Sequence, residues 1–196
     1  MIARHVQITL SLLLIAVVGI GLYLYRLERK TEEEMRRASD MRSVAPPVNG
    51  PEGKITLAIA YDEDGVFRQQ QAQAALPADP GERSREILRA LFSEYMQRPS
   101  PHPLAAGSDI NDVYVLNGDL AVVDTNGAFA DNHPSGVMVE DFTLFSVIET
   151  LGLNVPEIKR VKIIVNGRER STLAGHADLS PVFDVATIHQ AVENLR

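Results

Sequence analysis

The feature that most constrains this chain is an unbroken apolar run near its N-terminus. Residues 8–25 read ITLSLLLIAVVGIGLYLY and contain no charged side chain. At about 1.5 Å per residue, a helix of this length approaches the roughly 30 Å hydrocarbon core of a bilayer. Tyr23 and Tyr25 suit the boundary with water, where an aromatic ring is buried and its hydroxyl is hydrated. The run therefore predicts a transmembrane anchor within residues 1–25.

The residues on either side of this run bear on two questions: whether the segment is cleaved, and on which side of the membrane the body lies. A cleaved signal peptide is the alternative, but large residues, Tyr23, Leu24, Tyr25 and Arg26, stand at the end of the run, where small residues are needed for cleavage. Basic residues are more numerous after the run than before it, which by the positive-inside rule would keep the body in the cytoplasm. A short tail before a signal-like run, with acidic residues offsetting the basic cluster, favours export instead. We expect a single-pass protein of the cytoplasmic membrane with its body outside.

The limits of the folded body follow from composition. Residues 26–53 form a charged stalk that ends in SVAPPVNGPEG, where proline and glycine interrupt both helix and sheet. The body is therefore expected over residues 54–183. In residues 184–196 the apolar side chains recur at three- and four-residue spacing, which predicts a short amphipathic helix that packs on the domain or on a partner.

The first half of the body contains strand, helix and turn signals. In residues 54–61 apolar side chains alternate with smaller or polar ones, as in a strand with one buried face, and Val66 to Ala74 is interpreted as a second strand beside it. Asp79 before Pro80 marks the start of a helix that ends before Pro99. Asn117-Gly118 between two apolar runs predicts a tight hairpin turn.

The second half predicts a buried helix and a strand. From Val137 to Leu151 an apolar helical stripe is formed by Met138, Phe142, Phe145 and Ile148, and widened by Val137, Leu144 and Leu151. The strand in KRVKIIVNGRE closes in a second turn at Asn166-Gly167, followed by a short return strand. This order predicts an α+β fold in which two helices pack on one face of a small mixed sheet.

Charge and cysteine content exclude several classes of function. The chain carries 26 acidic against 19 basic residues, and its net charge of −7 repels nucleic acid. It contains no cysteine, so disulfides and thiolate metal sites are excluded.

Three stretches resemble the GerMN domain family: GDLAVVDTNGAF, VIETLGLNVPEIKRVKIIVNGRE and LAGHADLSPVF. The resemblance covers about residues 54–183. It implies an α+β fold akin to the ring-building motif of secretion machines, tethered outside the cytoplasmic membrane, in a family named for spore germination and sporulation. The family has no established catalytic residues, so none is assigned. The positions that match its motif are Asp124, Thr150, Leu151, Val161, Asn166 and Gly167.

The stretch DTNGAFADNHPSG, residues 124–136, is the main candidate for chemistry. Pro134 holds His133 extended, and Ser135 can cap the helix that follows. A metal site would combine His133 with His176 and nearby acids, but zinc needs three or four ligands and usually one tight local spacing, which is missing. We interpret the stretch as a helix entrance, and expect no catalytic residue, metal or cofactor.

The expected function is that of a non-enzymatic envelope module. An anchor, a linker and a compact domain predict a protein-interaction or assembly scaffold that docks on other envelope proteins or on itself. A domain that binds cell-wall glycan or a small ligand is the alternative. A metal-dependent hydrolase built on His133 and His176 is the third hypothesis.

Overall fold

The computed structural model describes residues 50–196. The predicted anchor at residues 8–25 and nearly all of the stalk and linker lie outside the described residues. Within the described range, no helix has the length and apolar character needed to cross a membrane.

The described part of the chain forms a mixed α+β fold of six strands and four helices. In chain order these are β1 (Glu52–Tyr61), β2 (Val66–Ala75), α1 (Pro80–Met96), β3 (Ile110–Leu116), β4 (Leu120–Thr125), α2 (Gly127–Asp131), α3 (Val137–Asn154), β5 (Arg160–Val165), β6 (Phe183–Asp184) and α4 (Val185–Glu193).

The strands form two sheets, which corrects the expectation of one small mixed sheet. β1 and β2 make an antiparallel two-stranded sheet, while the other sheet has the order β3-β4-β5-β6. In the larger sheet β4 and β5 run parallel, and α3 belongs to the crossover that parallel neighbours require. The two sheets stay separate because helix side chains, described below, occupy the edge of β1 that faces away from β2.

The local signals in the sequence are confirmed at the helix start and the turns. The Asp79 carboxylate accepts the Glu82 N–H at 2.9 Å and caps α1. The two Asn-Gly turns have positive φ throughout: 54° and 78° at Asn117 and Gly118, 51° and 72° at Asn166 and Gly167. The short return strand is present as β6, which pairs antiparallel with β5 but lies farther along the chain; directly after the turn there is an isolated bridge between Val165 and Arg168.

A single hydrophobic core collects buried side chains from both sheets and from the helices. On α3, Phe142, Leu144, Ile148 and Leu151 are buried as predicted. Three other members of the predicted stripe are not fully buried. Val137 and Met138 are exposed, because no other element covers them in the first turn, and Phe145 is half-buried against the core.

The C-terminal helix packs on the domain, one of the two expected alternatives. Ile188 and Val192 of α4 are buried. A Cβ at Gly152 of α3 would lie 2.6 Å from the Val185 side chain, so glycine permits the close approach of the two helices.

The outer edge of β1 is closed by side chains instead of by a strand. The N–H groups of alternate residues donate to α3 and α1: Thr56 to Asn154 Oδ1 at 2.8 Å, Ala58 to Thr150 Oγ1 at 3.0 Å, and Ala60 to the Tyr95 hydroxyl at 2.9 Å. A buried N–H without an acceptor costs as much as a lost hydrogen bond. These three bonds therefore let a strand edge lie inside the protein.

We predict that Tyr95→Phe lowers the free energy of unfolding by about 1–3 kcal/mol, because the buried Ala60 N–H loses its acceptor. The Tyr95 hydroxyl also lies 2.6 Å from Ser146 Oγ, and burial raises its pKa. Tyr114→Phe is the matched control, since Tyr114 is exposed. Urea denaturation measures both. Equal losses in the two variants would show that the β1 edge bond contributes nothing.

Candidate functional site

The histidine of the 124–136 stretch faces inward. The His133 side chain is buried, with Nε2 at 2.7 Å from Thr143 Oγ1. Its Nδ1 lies 2.7 Å from the Pro134 carbonyl oxygen, which can only accept a hydrogen bond. His133 therefore donates from Nδ1 and fixes the start of α3 from the inside.

A second histidine, which the sequence did not single out, completes this group. His102 is fully buried; its Nε2 lies 2.6 Å from the same Thr143 hydroxyl and its Nδ1 lies 2.6 Å from Asp62 Oδ1. The Tyr95 ring packs edge-on against it, with 4.7 Å between ring centroids. We call Asp62, His102, Thr143 and His133 the buried cluster. It joins the β1–β2 turn, the loop after α1, and α3 with its entrance.

The buried cluster contains the residue types of an acid–base relay, but a substrate cannot reach its hydroxyl. A nucleophile must reach a substrate, and Thr143 is fully buried. Its hydroxyl is also 3.1 Å from the Val139 carbonyl, one helical turn earlier. Burial lowers the pKa of His133, which favours the neutral ring. The geometry is that of a packed polar core.

The predicted cap at Ser135 is wrong. The residue that caps α3 is Gly136, which has no side chain, and its N–H donates to Glu140 Oε1 at 3.2 Å. The Ser135 hydroxyl instead donates to the Ala174 carbonyl at 3.3 Å. The carboxylate that reaches back from the first turn of the helix thus takes the place of the expected serine.

Glu140 is the most heavily bonded carboxylate at this end of the domain. It is fully buried, and Oε2 accepts the N–H groups of Ala174, His176 and Ala177, each at 2.9 Å. Oε1 lies 2.9 Å from His176 Nδ1. Although burial opposes ionisation, these bonds lower the pKa of Glu140 to about 2. The carboxylate therefore holds the 174–177 loop on α3.

The structure gives the two candidate metal-ligating histidines different partners. His133 is bonded to Thr143 and Pro134, whereas His176 is bonded to Glu140. Among the described residues, one group of three possible ligands lies close together, and it contains neither: Glu149, His189 and Glu193.

That group is an ion-pair network between α3 and α4. Glu149 is buried and lies 2.9 Å from His189 Nδ1. The Arg196 guanidinium contacts Glu149 at 3.4 Å and also pairs with Glu193. Because the arginine already supplies the positive charge that a metal ion would bring, the arrangement serves helix packing.

The residues at the GerMN motif positions have structural roles. Asp124 Oδ1 accepts the Gly167 N–H at 2.8 Å, which ties the Asn166-Gly167 turn to β4. Thr150 closes the β1 edge, and Leu151 and Val161 are fully buried in the core.

One face of the larger sheet is an exposed candidate for a binding surface. Tyr114 and Leu116 on β3 are 49% and 48% exposed, and the register places them opposite Val122 and Leu120 on β4. Their neighbours Val113, Ala121 and Val123 point to the other side of the sheet and are buried. We call Tyr114, Leu116, Leu120 and Val122 the docking face.

The edge of β3 is less open than its face. The Arg89 guanidinium donates to the Ile110 carbonyl at 3.1 Å, and the Val113 N–H is taken by the Asp112 side chain at 2.9 Å. A Cβ at Gly81 would lie 2.4 Å from the Val113 oxygen, so the start of α1 covers that position. Pairing with an added strand is therefore obstructed, and contact through the face is favoured.

A comparison with protein families assigns the domain. The Germane family, described as sporulation and spore germination, matches residues 58–171. The chain belongs to the Germane family. This confirms the resemblance to GerMN domains that the sequence predicted.

One solved structure shares this fold. The chain is similar to the tandem GerMN domains of the sporulation protein GerM from Bacillus subtilis, at 20% identity and a TM-score of 0.53, over 68% of this chain and 46% of that one. It thus spans just under half of that tandem structure. The first GerMN domain of the same protein is 20% identical with a TM-score of 0.45, over 66% of this chain and 94% of that one. No curated protein matches the sequence.

We predict that Glu140→Gln destabilises the Germane domain by about 2–4 kcal/mol at neutral pH, because three backbone donors lose a charged acceptor. Ser135→Ala is the control at the same helix entrance. Its hydroxyl does not cap α3, so its loss should cost far less. Urea denaturation at pH 7 compares the two.

The same glutamate predicts an acid-dependent loss of stability. Its pKa in the folded protein, about 2, lies below the ordinary value of 4.5, so the folded state binds fewer protons than the unfolded state between these values. The Glu140 contribution is therefore complete above about pH 4.5 and disappears as the pH falls towards 2. Denaturation between pH 2 and 6 should show a shallower decline for Glu140→Gln than for the wild type. Parallel curves would contradict this account of Glu140.

Proposed function

We propose that this Germane protein is a non-enzymatic, membrane-anchored component of the cell envelope whose domain binds another envelope protein. The observation that carries the proposal is the docking face, where Tyr114 and Leu116 are each about half exposed on an open sheet. The buried cluster offers no route for a substrate to Thr143. Binding is therefore the activity that the geometry supports best.

The docking face has the composition of an interface core. Tyrosine is enriched among residues that dominate binding energy, and leucine and valine beside it supply apolar area. The four side chains lie in two cross-strand pairs, Tyr114 with Val122 and Leu116 with Leu120, so they form a continuous patch. A partner with its own apolar surface would remove this patch from water.

The N-terminal sequence supports placement at the membrane. The run at residues 8–25 is long and apolar enough to anchor the chain, and the Pro/Gly-containing segment after it provides a tether. We propose that the domain lies outside the cytoplasmic membrane, where it meets other envelope proteins. Protease added to intact spheroplasts would digest an exported domain and spare a cytoplasmic one.

A groove beside the docking face favours a second candidate function. It has a volume of about 650 Å³ and is lined by the α1 cap Asp79, by Glu82 and Arg85 of α1, and by Asp112 and Tyr114 of β3. Carboxylates, a guanidinium and an aromatic ring suit the hydroxyls and apolar faces of a sugar. A cell-wall glycan is the ligand that this lining fits.

The two functions are separated by one set of variants. We predict that Tyr114→Ser combined with Leu116→Ser reduces crosslinking to envelope proteins at least tenfold in intact cells, without changing the melting temperature. Val137→Ser is the matched control, because Val137 is apolar and 62% exposed but lies on α3 away from the sheet. Crosslinking should be monitored from a photoreactive residue at position 120, within the face.

The outcomes distinguish the hypotheses. Loss of the complex in the double variant, but not in Val137→Ser, supports a protein-binding face. Unchanged crosslinking in both variants would contradict it. Binding to purified cell wall that Arg85→Ala abolishes, together with crosslinking to envelope proteins that the double serine variant leaves unchanged, would replace the proposal with the glycan function.

A further inference from the structure

The strand β2 has a backbone edge that faces away from β1. In the register of the two strands, Ala58 of β1 lies opposite Gln69 of β2. The Ala58 N–H points away from β2 and donates to Thr150 Oγ1 on α3. Residues opposite each other in an antiparallel pair point their backbone groups either towards each other or both away. The backbone groups of Gln69, and of Gln71 and Gln73 farther along the strand, therefore point outward from the hairpin.

Over most of its length, this edge has no partner within residues 50–196. At its start, the outward N–H of Phe67 donates to the Leu195 carbonyl oxygen at 2.8 Å, so the residues after α4 cover that position. From Gln69 to Gln73, the outward backbone groups meet neither a third strand nor a capping side chain of the described range. The outer edges of β1 and β3, in contrast, are closed or obstructed by helix residues. The β2 edge is therefore free to accept another strand.

The sequence along this edge lacks the features that usually prevent strand pairing. Residues 69–75 read QQQAQAA, without a charged side chain or a proline. The pairing with β1 runs without a bulge along the whole hairpin, and the glutamines of β2 are exposed. Natural sheets blunt their exposed edges with lysine, proline or a bulge, and an edge without them is a template for another chain. The composition of β2 therefore permits an added strand.

We propose that β2 pairs antiparallel with β2 of a second copy of this chain, about a two-fold axis at Gln71. This register places Gln71 opposite its own counterpart, and Gln69 of each copy opposite Gln73 of the other. The three pairs form about six backbone hydrogen bonds, two for each pair. The surface on β2 is separate from the docking face on β3 and β4, so the inference does not depend on the proposed function.

A second copy is the occupant because this edge is complementary to itself. Each outward position carries a glutamine, whose amide both donates and accepts, so glutamine opposite glutamine can satisfy both side chains. The chain carries a net charge of −7, but residues 69–75 are neutral, so two copies meet there without like charges opposite each other. Arg68, next to this segment, lies opposite Ala74 of the second copy. Ala74 and Ala75 also pass Leu195, where their small side chains suit the covered end of the edge.

The pairing stops at two copies. The combined sheet has the order β1-β2-β2-β1, so β1 forms both of its outer edges. The N–H groups there, at Thr56, Ala58 and Ala60, are bonded to side chains of α3 and α1 and are not open to a further strand. Both copies use the same surface, which is the isologous contact of a closed dimer. The expected assembly is therefore a dimer and not a fibre.

Single cysteine variants test this register without background, because the chain contains no cysteine. Residues opposite each other in a hydrogen-bonded pair have Cα atoms about 5.5 Å apart, within the range of a disulfide. We expect Gln71→Cys in the full chain to crosslink to a second copy in native membranes treated with a mild oxidant. Gln69→Cys alone should not, because each copy lies about 14 Å along the strand from its counterpart, four residues at about 3.4 Å each. The same holds for Gln73→Cys alone, whereas co-expression of these two variants should give the crosslinked dimer on a denaturing gel without reductant.

Gln71→Lys tests the same edge without crosslinking. The Gln71 N–H takes no part in the pairing with β1, and its side-chain bond to Thr56 lies on the surface, so the variant keeps its fold. The substitution places two like charges opposite each other across the axis. We expect the dimer of the full chain in detergent to dissociate at least tenfold more readily at low salt, as measured by analytical ultracentrifugation. Gln190→Lys is the matched control, since it makes the same change of charge at an exposed position of α4.

The outcomes separate a second copy from other occupants of the edge. Crosslinking of Gln71→Cys to itself, without crosslinking of Gln69→Cys or Gln73→Cys alone, supports the two-fold register. Equal crosslinking at all three positions would indicate random collision and would overturn the inference, as would no crosslinking at any of them. A product of Gln71→Cys with a different protein would overturn it in favour of a strand supplied by that protein. Equal dissociation of Gln71→Lys and Gln190→Lys would also contradict pairing at this edge.

Discussion

The structure depends on a row of polar side chains along the buried helix α3. These side chains recur every three or four residues, so they lie on one side of the helix. Each bonds to a different part of the chain. The members of the row are Glu140, Thr143, Ser146, Thr150 and Asn154, and their partners are the 174–177 loop, the two buried histidines, Tyr95, Ala58 and Thr56.

This row explains why two separate sheets share one core. In the larger sheet, the parallel strands β4 and β5 come before and after α3 in the chain. β1, in contrast, bonds to α3 through its backbone N–H groups. Buried polar bonds contribute little when made and cost much when broken, so each fixes the position of its partner. The same bonding fixes His133, whose ring is buried with Nε2 at 2.7 Å from the Thr143 hydroxyl.

The sequence predicted the parts of the fold that depend on neighbouring residues. The Asp79 cap, the two Asn-Gly turns and the apolar character of α3 each rest on contacts within a few positions. The row on α3 was missed because its partners are distant in sequence: Thr150 and Ala58 are 92 residues apart, and Thr143 and His102 are 41 apart. Ser135 was assigned the cap because serine is a common capping residue, but the backbone amide there bonds to Glu140. No local pattern marked His102, and the docking face became visible only when the register of β3 and β4 was known.

Hydrogen exchange at the β1 edge tests most directly whether side chains of α3 and α1 replace a strand there. The amides to follow are those of Thr56, Ala58 and Ala60, compared with Leu57 and Ile59 between them. The account predicts that all five exchange at rates set by opening of the core, since the three edge amides are bonded to Asn154, Thr150 and Tyr95. Rapid exchange at the three edge amides, with protection of their neighbours, would contradict it.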